Sequence, residues 1–304
     1  MHVIPVISTK GGEGKSTQAA NLAGFLADAG LKTLLIDGDY AQPTSSSIFA
    51  LEYEAPCGLY ELLMQTVNLN DPTQVISKTV ITGLDLIISN DPNAQLPTAM
   101  LNAPDGRFRL RNILQHPLFS QYDVIIVDSQ GARTIMLELI VLAATNTAIG
   151  VIKPILPDVR EFIRGTIHMM ESLLPFSAFG LVLPQVKVLI NCMKYTRRAK
   201  ETYKILGEII DTGKYSQHSQ SISVSLLDTF IYDLEIYVEG HSAGQPAHRL
   251  ESETKRVSDS AATTMHSLAS ELFPQWKEQF DSVLRNQTGA EEVGTGDYAG
   301  EGKQ

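Results

Sequence analysis

The sequence predicts an α/β fold: a doubly wound, mostly parallel sheet flanked by helices. Three observations predict it. Short apolar runs recur along the chain without polar alternation, the pattern of strands buried on both faces. Stretches with helical spacing of apolar residues lie between those runs. A glycine-rich turn joins the first strand to the first helix, at the strand end where such sheets bind their ligands.

The elements follow in order. Val3–Ser8 is a short apolar run and predicts a strand, although Pro5 removes one ladder hydrogen bond from it. After the glycine turn, Ser16–Ala27 predicts a helix, with Ala19, Ala20, Leu22, Ala23, Phe25 and Leu26 on a broad apolar face and Gly30 as its C-terminal stop. Lys32–Asp37 (KTLLID) predicts a second buried strand. Leu84–Ser89, Tyr122–Ser129, Ala148–Pro154 and Val186–Asn191 predict four more. Helices are predicted over Arg107–Gln115, Thr134–Ala144, Val159–Leu174 and Arg197–Ile210. Ser252–Asn286 has helical character, divided by Pro274. Residues 1–286 are expected to form a single domain. Residues 287–304 hold five glycines and almost no apolar content, and predict a disordered tail.

The bulk composition excludes several classes. The chain of 304 residues is 43% hydrophobic, enough for a sizeable core. Its formal charge of −10 excludes a globally basic nucleic-acid binder, so any contact with DNA needs a local patch. Cys57 and Cys192 form neither a metal-ligand spacing nor a disulfide framework, which fits a reducing compartment. There is no signal-peptide pattern and no apolar run long enough to span a membrane, so a cytoplasmic protein is expected.

The turn itself reads Ser8-Thr-Lys-Gly-Gly-Glu-Gly-Lys-Ser-Thr17. Strand, glycine turn and a helix opening at Lys-Ser make a phosphate cradle: backbone N–H groups point inward and the helix N-terminus adds a positive dipole. Lys15 is placed to reach β- and γ-phosphates, and the Ser16 hydroxyl to ligate Mg²⁺. The strict pattern requires glycine five residues before Gly14, where Thr9 stands. What remains is K-G-G-x-G-K-[ST], whose chance occurrence in a chain of this length is roughly one in ten thousand.

Lys10-Gly11-Gly12-Glu13-Gly14-Lys15-Ser16-Thr17 resembles the deviant Walker A motif of the ParA/MinD/Soj ATPases. The resemblance, loose in its later part, covers residues 2–275 and implies a P-loop NTPase fold of the deviant Walker A class, with ATP and Mg²⁺ as ligands. It further implies an ATP-dependent homodimer in which Lys10 contacts the phosphates held by the other subunit, while Lys15 serves its own. A cation lent in this way offsets the repulsion between two facing triphosphates.

Other matches extend the resemblance. Asp37 and Asp39 in LLIDGDYAQP resemble the family's D-x-D-P-Q motif, which implies that Asp39 orients or deprotonates the attacking water and Asp37 helps hold Mg²⁺; here Tyr40-Ala41 intrude before Gln42-Pro43. Asp128 closes VIIVD, the Walker B form of an apolar strand ending in a metal-facing carboxylate. The family's Thr-Pro-Pro after it is replaced by Ser129-Gln130-Gly131. By the same resemblance, Asn191 reads the adenine edge, and Pro154 belongs to the Lys153–Asp158 loop packed beside the base; a strand-end Asn is also an ordinary turn former. Asp228–Arg249 resembles the family's late strand, short helix and Gly-Pro turn, without the usual Ile-Pro.

Among such ATPases the ParA type binds nonspecific DNA as the ATP dimer and releases it after hydrolysis. Lys187, Lys194, Arg197, Arg198, Lys200 and Lys204 cluster against the single acid Glu201, a local reversal of sign that could track phosphates or simply be a solvated helix face. The resemblance therefore implies a slow partition ATPase, associated with the nucleoid and stimulated by a ParB-like partner. With no helix-turn-helix ahead of the first strand, operator binding is not expected. A MinD-like regulator is the alternative, but it needs a basic amphipathic C-terminal helix. Gln275–Arg285 carries Trp276, Phe280, Val283 and Leu284 with only Lys277 and Arg285 as cations, so membrane binding is not expected. An iron–sulfur protein on the same scaffold would need paired cysteines, which are lacking.

Overall fold

A computed structural model describes residues 1–91 and 93–288. A nine-stranded sheet runs β3-β4-β5-β2-β6-β1-β7-β8-β9. Its strands are β1 (His2–Ile7), β2 (Thr33–Asp37), β3 (Leu51–Tyr53), β4 (Ser77–Thr79), β5 (Leu84–Ile87), β6 (Val124–Asp128), β7 (Thr147–Ile152), β8 (Gln185–Met193) and β9 (Val224–Tyr232). From β5 to β9 the ladders are parallel, and only β3–β4 and β4–β5 are antiparallel. The expected fold class is thus the one observed.

The strands predicted from apolar runs fall within one or two residues of β1, β2 and β5–β8. Pro5 does sit in a central strand, opposite Val127. On its other side β1 meets β7 over only two residue pairs, Val6–Ile149 and Ile7–Gly150. Val3 is instead tied to Thr145, whose hydroxyl and backbone N–H supply the missing partners at 3.1 Å each.

Twelve α-helices are described: α1 (Lys15–Asp28), α2 (Leu59–Met64), α3 (Leu96–Asn102), α4 (Arg109–Ile113), α5 (Ile135–Ala143), α6 (Leu156–Glu161), α7 (His168–Leu173), α8 (Arg197–Asp211), α9 (Ile236–Ala243), α10 (Ala247–Leu250), α11 (Ala261–Leu272) and α12 (Lys277–Thr288). Strand alternation divides the core. Ile4, Val6, Leu35 and Ile126 pack on one face with Phe25 of α1, Met265 of α11 and Phe280 of α12. Val3, Leu34, Ile36 and Val127 pack on the other with α2–α5. Ile7, Ile152, Val188 and Ile190 extend that layer beneath the α6–α8 region. Burying a side chain such as Phe25 contributes about 2–3 kcal/mol.

Two expectations are corrected. Residues 252–260 are not helical. That run has no apolar period, and its Ser260 caps α11 by accepting from Thr263 N–H at 3.1 Å, while Glu251 accepts from Ala261 N–H at 3.0 Å. The helix expected from Val159 begins earlier, at Leu156 with Pro157 in its first turn. It then widens into a π turn over Phe162–Ile167, where Gly165 packs so closely on Thr9 that a Cβ there would collide with the threonine hydroxyl. At the C-terminus α12 reaches Thr288, two residues beyond the expected domain end. The rest of the predicted tail lies outside the described residues. No described helix is long and apolar enough to cross a membrane.

Candidate nucleotide site

The strands change direction of progression at β1, and the glycine turn leaves its carboxyl end there. Gly12 (φ 75°) and Gly14 (φ 88°) hold left-handed conformations that a side chain would strain. A Cβ on Gly14 would also strike the Asn191 amide. Helix α1 starts at Lys15 with no side-chain cap and no acid in its first turn. Its first N–H groups are left for an anion, and the helix dipole favours one.

These groups open on a cavity of about 500 Å³. Gly11, Gly12, Gly14, Lys15, Ser16 and Thr17 line it. So do Asp39, Gln130 and Gly131. Lys15 is 6% exposed and its ammonium donates to the Lys10 carbonyl at 3.3 Å. Burial pulls the Lys15 pKa down, against the pull of Asp128, Asp39 and Glu13. Gly131 packs directly on the glycine turn: a Cβ there would lie 2.6–2.8 Å from the Gly11 and Lys10 backbone. Gln130 stands where the resembled family has proline, and its Oε1 is buried without a partner.

The acids gather under this cradle. Asp128 and Asp37 end neighbouring strands in register. Asp128 accepts from the Ser16 hydroxyl and, at 2.7 Å, from Ser45 Oγ. Asp37 accepts from the N–H and hydroxyl of Ser46, both at 2.7 Å, and from Asp39 N–H at 3.1 Å. Burial and the neighbouring Asp128 push the Asp37 carboxyl up to about 7, and burial raises Asp128 too. Two crowded, buried carboxylates beside a hydroxyl form a hard oxygen set, so Ser16, Asp37 and Asp128 fit Mg²⁺. Asp39 accepts from Ala41 and Gln42 N–H at 3.0 and 2.9 Å, so the intruding Tyr40-Ala41 are folded into a turn on the Asp39 carboxylate. Ser45 and Ser46 were not singled out from sequence; the run Thr44–Ser47 after the acidic loop is the only trace of them.

Other predicted residues lie apart from this cavity. Lys10 pairs with Asp158 on α6 and lies 3.4 Å from Glu13. Glu13 is 1% exposed, and its carboxylate accepts from Lys153 N–H at 2.9 Å instead of facing the cavity. Pro154 is buried after β7 and lines neither this cavity nor its neighbour. Asn191 is committed to the loop: its Nδ2 donates to the Glu13 carbonyl at 2.7 Å and its Oδ1 accepts from Gln18 at 3.2 Å.

The basic cluster divides. Lys187 sits near the start of β8 and donates to the Glu271 carbonyl at 3.0 Å. Lys194 pairs with Asp233 at 2.9 Å and Arg197 with Glu201 at 2.6 Å. Arg198, Lys200 and Lys204 are exposed on α8 and form no ion pair with any described residue.

Comparison with known proteins identifies the family and the fold. A family model described as an AAA domain matches residues 1–157, just over half of the chain. The cell division protein PomZ of Myxococcus xanthus is 26% identical over 254 residues, covering 83% of this chain and 73% of that one. The chain spans between 39% and 50% of the length of three further curated relatives, among them the chromosome partitioning protein ParA of Myxococcus xanthus, 32% identical over 149 residues. In fold, the ATP complex of Cyanothece McdA superposes with a TM-score of 0.67 at 21% identity, covering 96% of this chain and 98% of the other. MinD of Pyrococcus horikoshii, solved with Mg-ADP, gives 0.66 at 19% identity over 91% and 98%. The family match and these relatives bear out the resemblance: the chain belongs to the ParA/MinD family of deviant Walker A ATPases.

Proposed function

We propose that the protein is an ATP-hydrolysing partition or positioning ATPase that acts as an ATP-dependent homodimer. The observation that carries the reading is one cavity lined by the glycine cradle, Lys15, Ser16 and Asp39, with the Lys15 ammonium held on the Lys10 carbonyl. Lys15 and the first N–H groups of α1 bind the β- and γ-phosphates. Mg²⁺ held by Ser16, and supported by Asp128 and Asp37, would neutralise phosphate charge. Asp39, which lines the same cavity, orients the attacking water. Lys10, lent to the partner's nucleotide, offsets the charge of the second triphosphate. Turnover is slow because the chemistry rests on positioning and charge neutralisation completed only in the dimer.

The cargo-handling part of the proposal is nonspecific DNA binding by the ATP dimer, with a ParB-like protein stimulating release. Arg198, Lys200 and Lys204 on α8, with Lys194 and Arg197 beside them, supply the cations; Lys187, whose ammonium is held by the Glu271 carbonyl, is left out of this surface. The test is DNA retention with ATP against ADP at low and moderate salt. Retention only with ATP supports the reading, and none at any salt removes DNA from it. The MinD-like membrane alternative loses support from α12. Phe280 and Val283 are buried in the core, and Trp276 packs against Phe273 and His2, so the apolar face the alternative needs is occupied.

A further inference from the structure

The segment after β6 is tightly fixed. Ser129 N–H donates to Asp128 Oδ1 at 2.9 Å, and the Ser129 hydroxyl donates to the Val6 carbonyl of β1 at 2.7 Å. Gly131 packs on the Gly11 and Lys10 backbone, where a Cβ would collide. Gln130 is held between these two residues and lines the phosphate cavity together with Lys15 and Asp39. Its Oε1 is shielded from solvent and accepts from nothing among the described residues. Folded proteins rarely leave such an acceptor empty, and a ligand or an ordered water commonly completes it. The Thr-Pro-Pro of the resembled motif has no amide at this position, so the feature belongs to this chain.

Asp39 leaves a matching need. The hydrogen bonds it accepts from Ala41 and Gln42 N–H both go to Oδ1. Among the described residues nothing donates to Oδ2, so Asp39 has one oxygen to offer a water. A water held by a single acceptor still rotates about that bond. In-line attack on phosphorus needs one lone pair aimed at the reacting atom, which requires both hydrogens to be held. A second acceptor that is neutral holds the other hydrogen without competing for the proton.

We propose that Gln130 is a second catalytic residue: its Oε1 accepts a hydrogen bond from the attacking water, whose other hydrogen is held by Asp39. This inference rests on the nucleotide reading above. The Gln130 amide reaches the water by turning about its last side-chain torsion, whose preferred angles are broad. As the water oxygen bonds the γ-phosphorus, the bond from phosphorus to the bridging oxygen breaks, and ADP leaves with that electron pair. One water proton passes to Asp39 and then to solvent. The other stays on the phosphate product, and Gln130 takes none.

The test is Gln130→Met, which keeps the length of the side chain and removes the acceptor. The full chain is assayed with Mg²⁺ for phosphate release. Independently of turnover, it is assayed for binding ADP with aluminium fluoride, a mimic of the phosphoryl group in transfer. The variant should lose about 10²-fold in kcat and a similar factor in affinity for ADP with aluminium fluoride, while KM and the affinity for a nonhydrolysable ATP analogue stay within about threefold of the natural protein. In an Asp39→Ala background the same substitution should cost less than about threefold, because both residues act on one water. Gln130→Ala, which only widens the cavity, answers the same question if Gln130→Met does not fold. A Gln130 variant that keeps turnover and aluminium fluoride affinity overturns the inference and leaves the nucleotide reading intact, as do losses that add in full to those of Asp39→Ala. If the natural protein binds neither analogue, the nucleotide reading falls and takes this inference with it.

Discussion

Lys10 hydrogen-bonds the buried Asp158 of its own chain, across 148 residues of sequence. The Asp158 hydrogen bond, with the nearby Glu13 charge, raises the Lys10 pKa, so the ammonium is secure at any ordinary pH. Asp158 is 2% exposed and its second oxygen has no partner, so the pair is anchored on the acid side and open on the lysine side. A lysine that serves a partner's nucleotide must first leave this acid. Asp158→Asn should therefore lower the dimer dissociation constant with a nonhydrolysable ATP analogue by roughly tenfold, the value of one charge-assisted hydrogen bond. Analytical ultracentrifugation reads the result, and an unchanged constant would show that the pair does not restrain Lys10.

The two lysines should separate by phenotype. Lys15→Ala should weaken nucleotide binding by roughly a hundredfold or more, since it removes the cation at the phosphates. Lys10→Ala should bind nucleotide normally but neither dimerise nor turn over. Equilibrium binding, sedimentation and phosphate release on both variants make the comparison, and a fully active Lys10→Ala would contradict the role in trans.

Asp39→Ala should keep the ATP dimer and trap it. Asp39 lines the same cavity as Lys15 and also organises the 40–42 turn, so phosphate release should fall by about 10²-fold or more. Nucleotide affinity should stay within a few-fold of the natural protein.

Acid stability has a separate source. Asp28 at the end of α1 accepts from His248 at 2.8 Å and from Arg249 at 2.7 and 2.5 Å. Burial alone would raise its pKa, but these bonds and charges outweigh it and hold the carboxyl down at about 2. The folded value lies below the ordinary one, so the stabilisation is complete above about pH 4 and is lost as pH falls through about 2. Asp28→Asn should cost about 2 kcal/mol at neutral pH and progressively less toward pH 2, in urea melts across that range.

Removing Arg198, Lys200 and Lys204 together, each to Ala, should weaken ATP-dependent DNA retention for all sequences alike. It should lower the salt slope of binding by about 2 to 3. ATP turnover without DNA should be unaffected, because all three lie on the exposed surface of α8 and line neither nucleotide cavity.

The cradle was legible because its chemistry is local. Strand, glycines and Lys-Ser are contiguous, and Asp37 and Asp128 each end an apolar run that is long for a surface segment. The three-residue strands β3 and β4 carry too few residues to show a period, and 252–260 was drawn into a helix by the apolar stretch after it. What contiguity cannot show is which distant side chain completes a contact. Lys10 with Asp158, Ser45 with Asp128 and Asn191 with Glu13 are pairings made by the fold. Asn191 illustrates the limit: its position at a strand end suggests a base contact, and only the fold shows that its amide also braces the Glu13 carbonyl and Gln18.

The most direct test of the central claim is the mass of the protein in solution with Mg²⁺ and a nonhydrolysable ATP analogue, measured across concentration beside ADP and nucleotide-free samples. The account predicts a dimer with the analogue and monomers in the other two. A protein that binds the analogue yet stays monomeric at high concentration would contradict it.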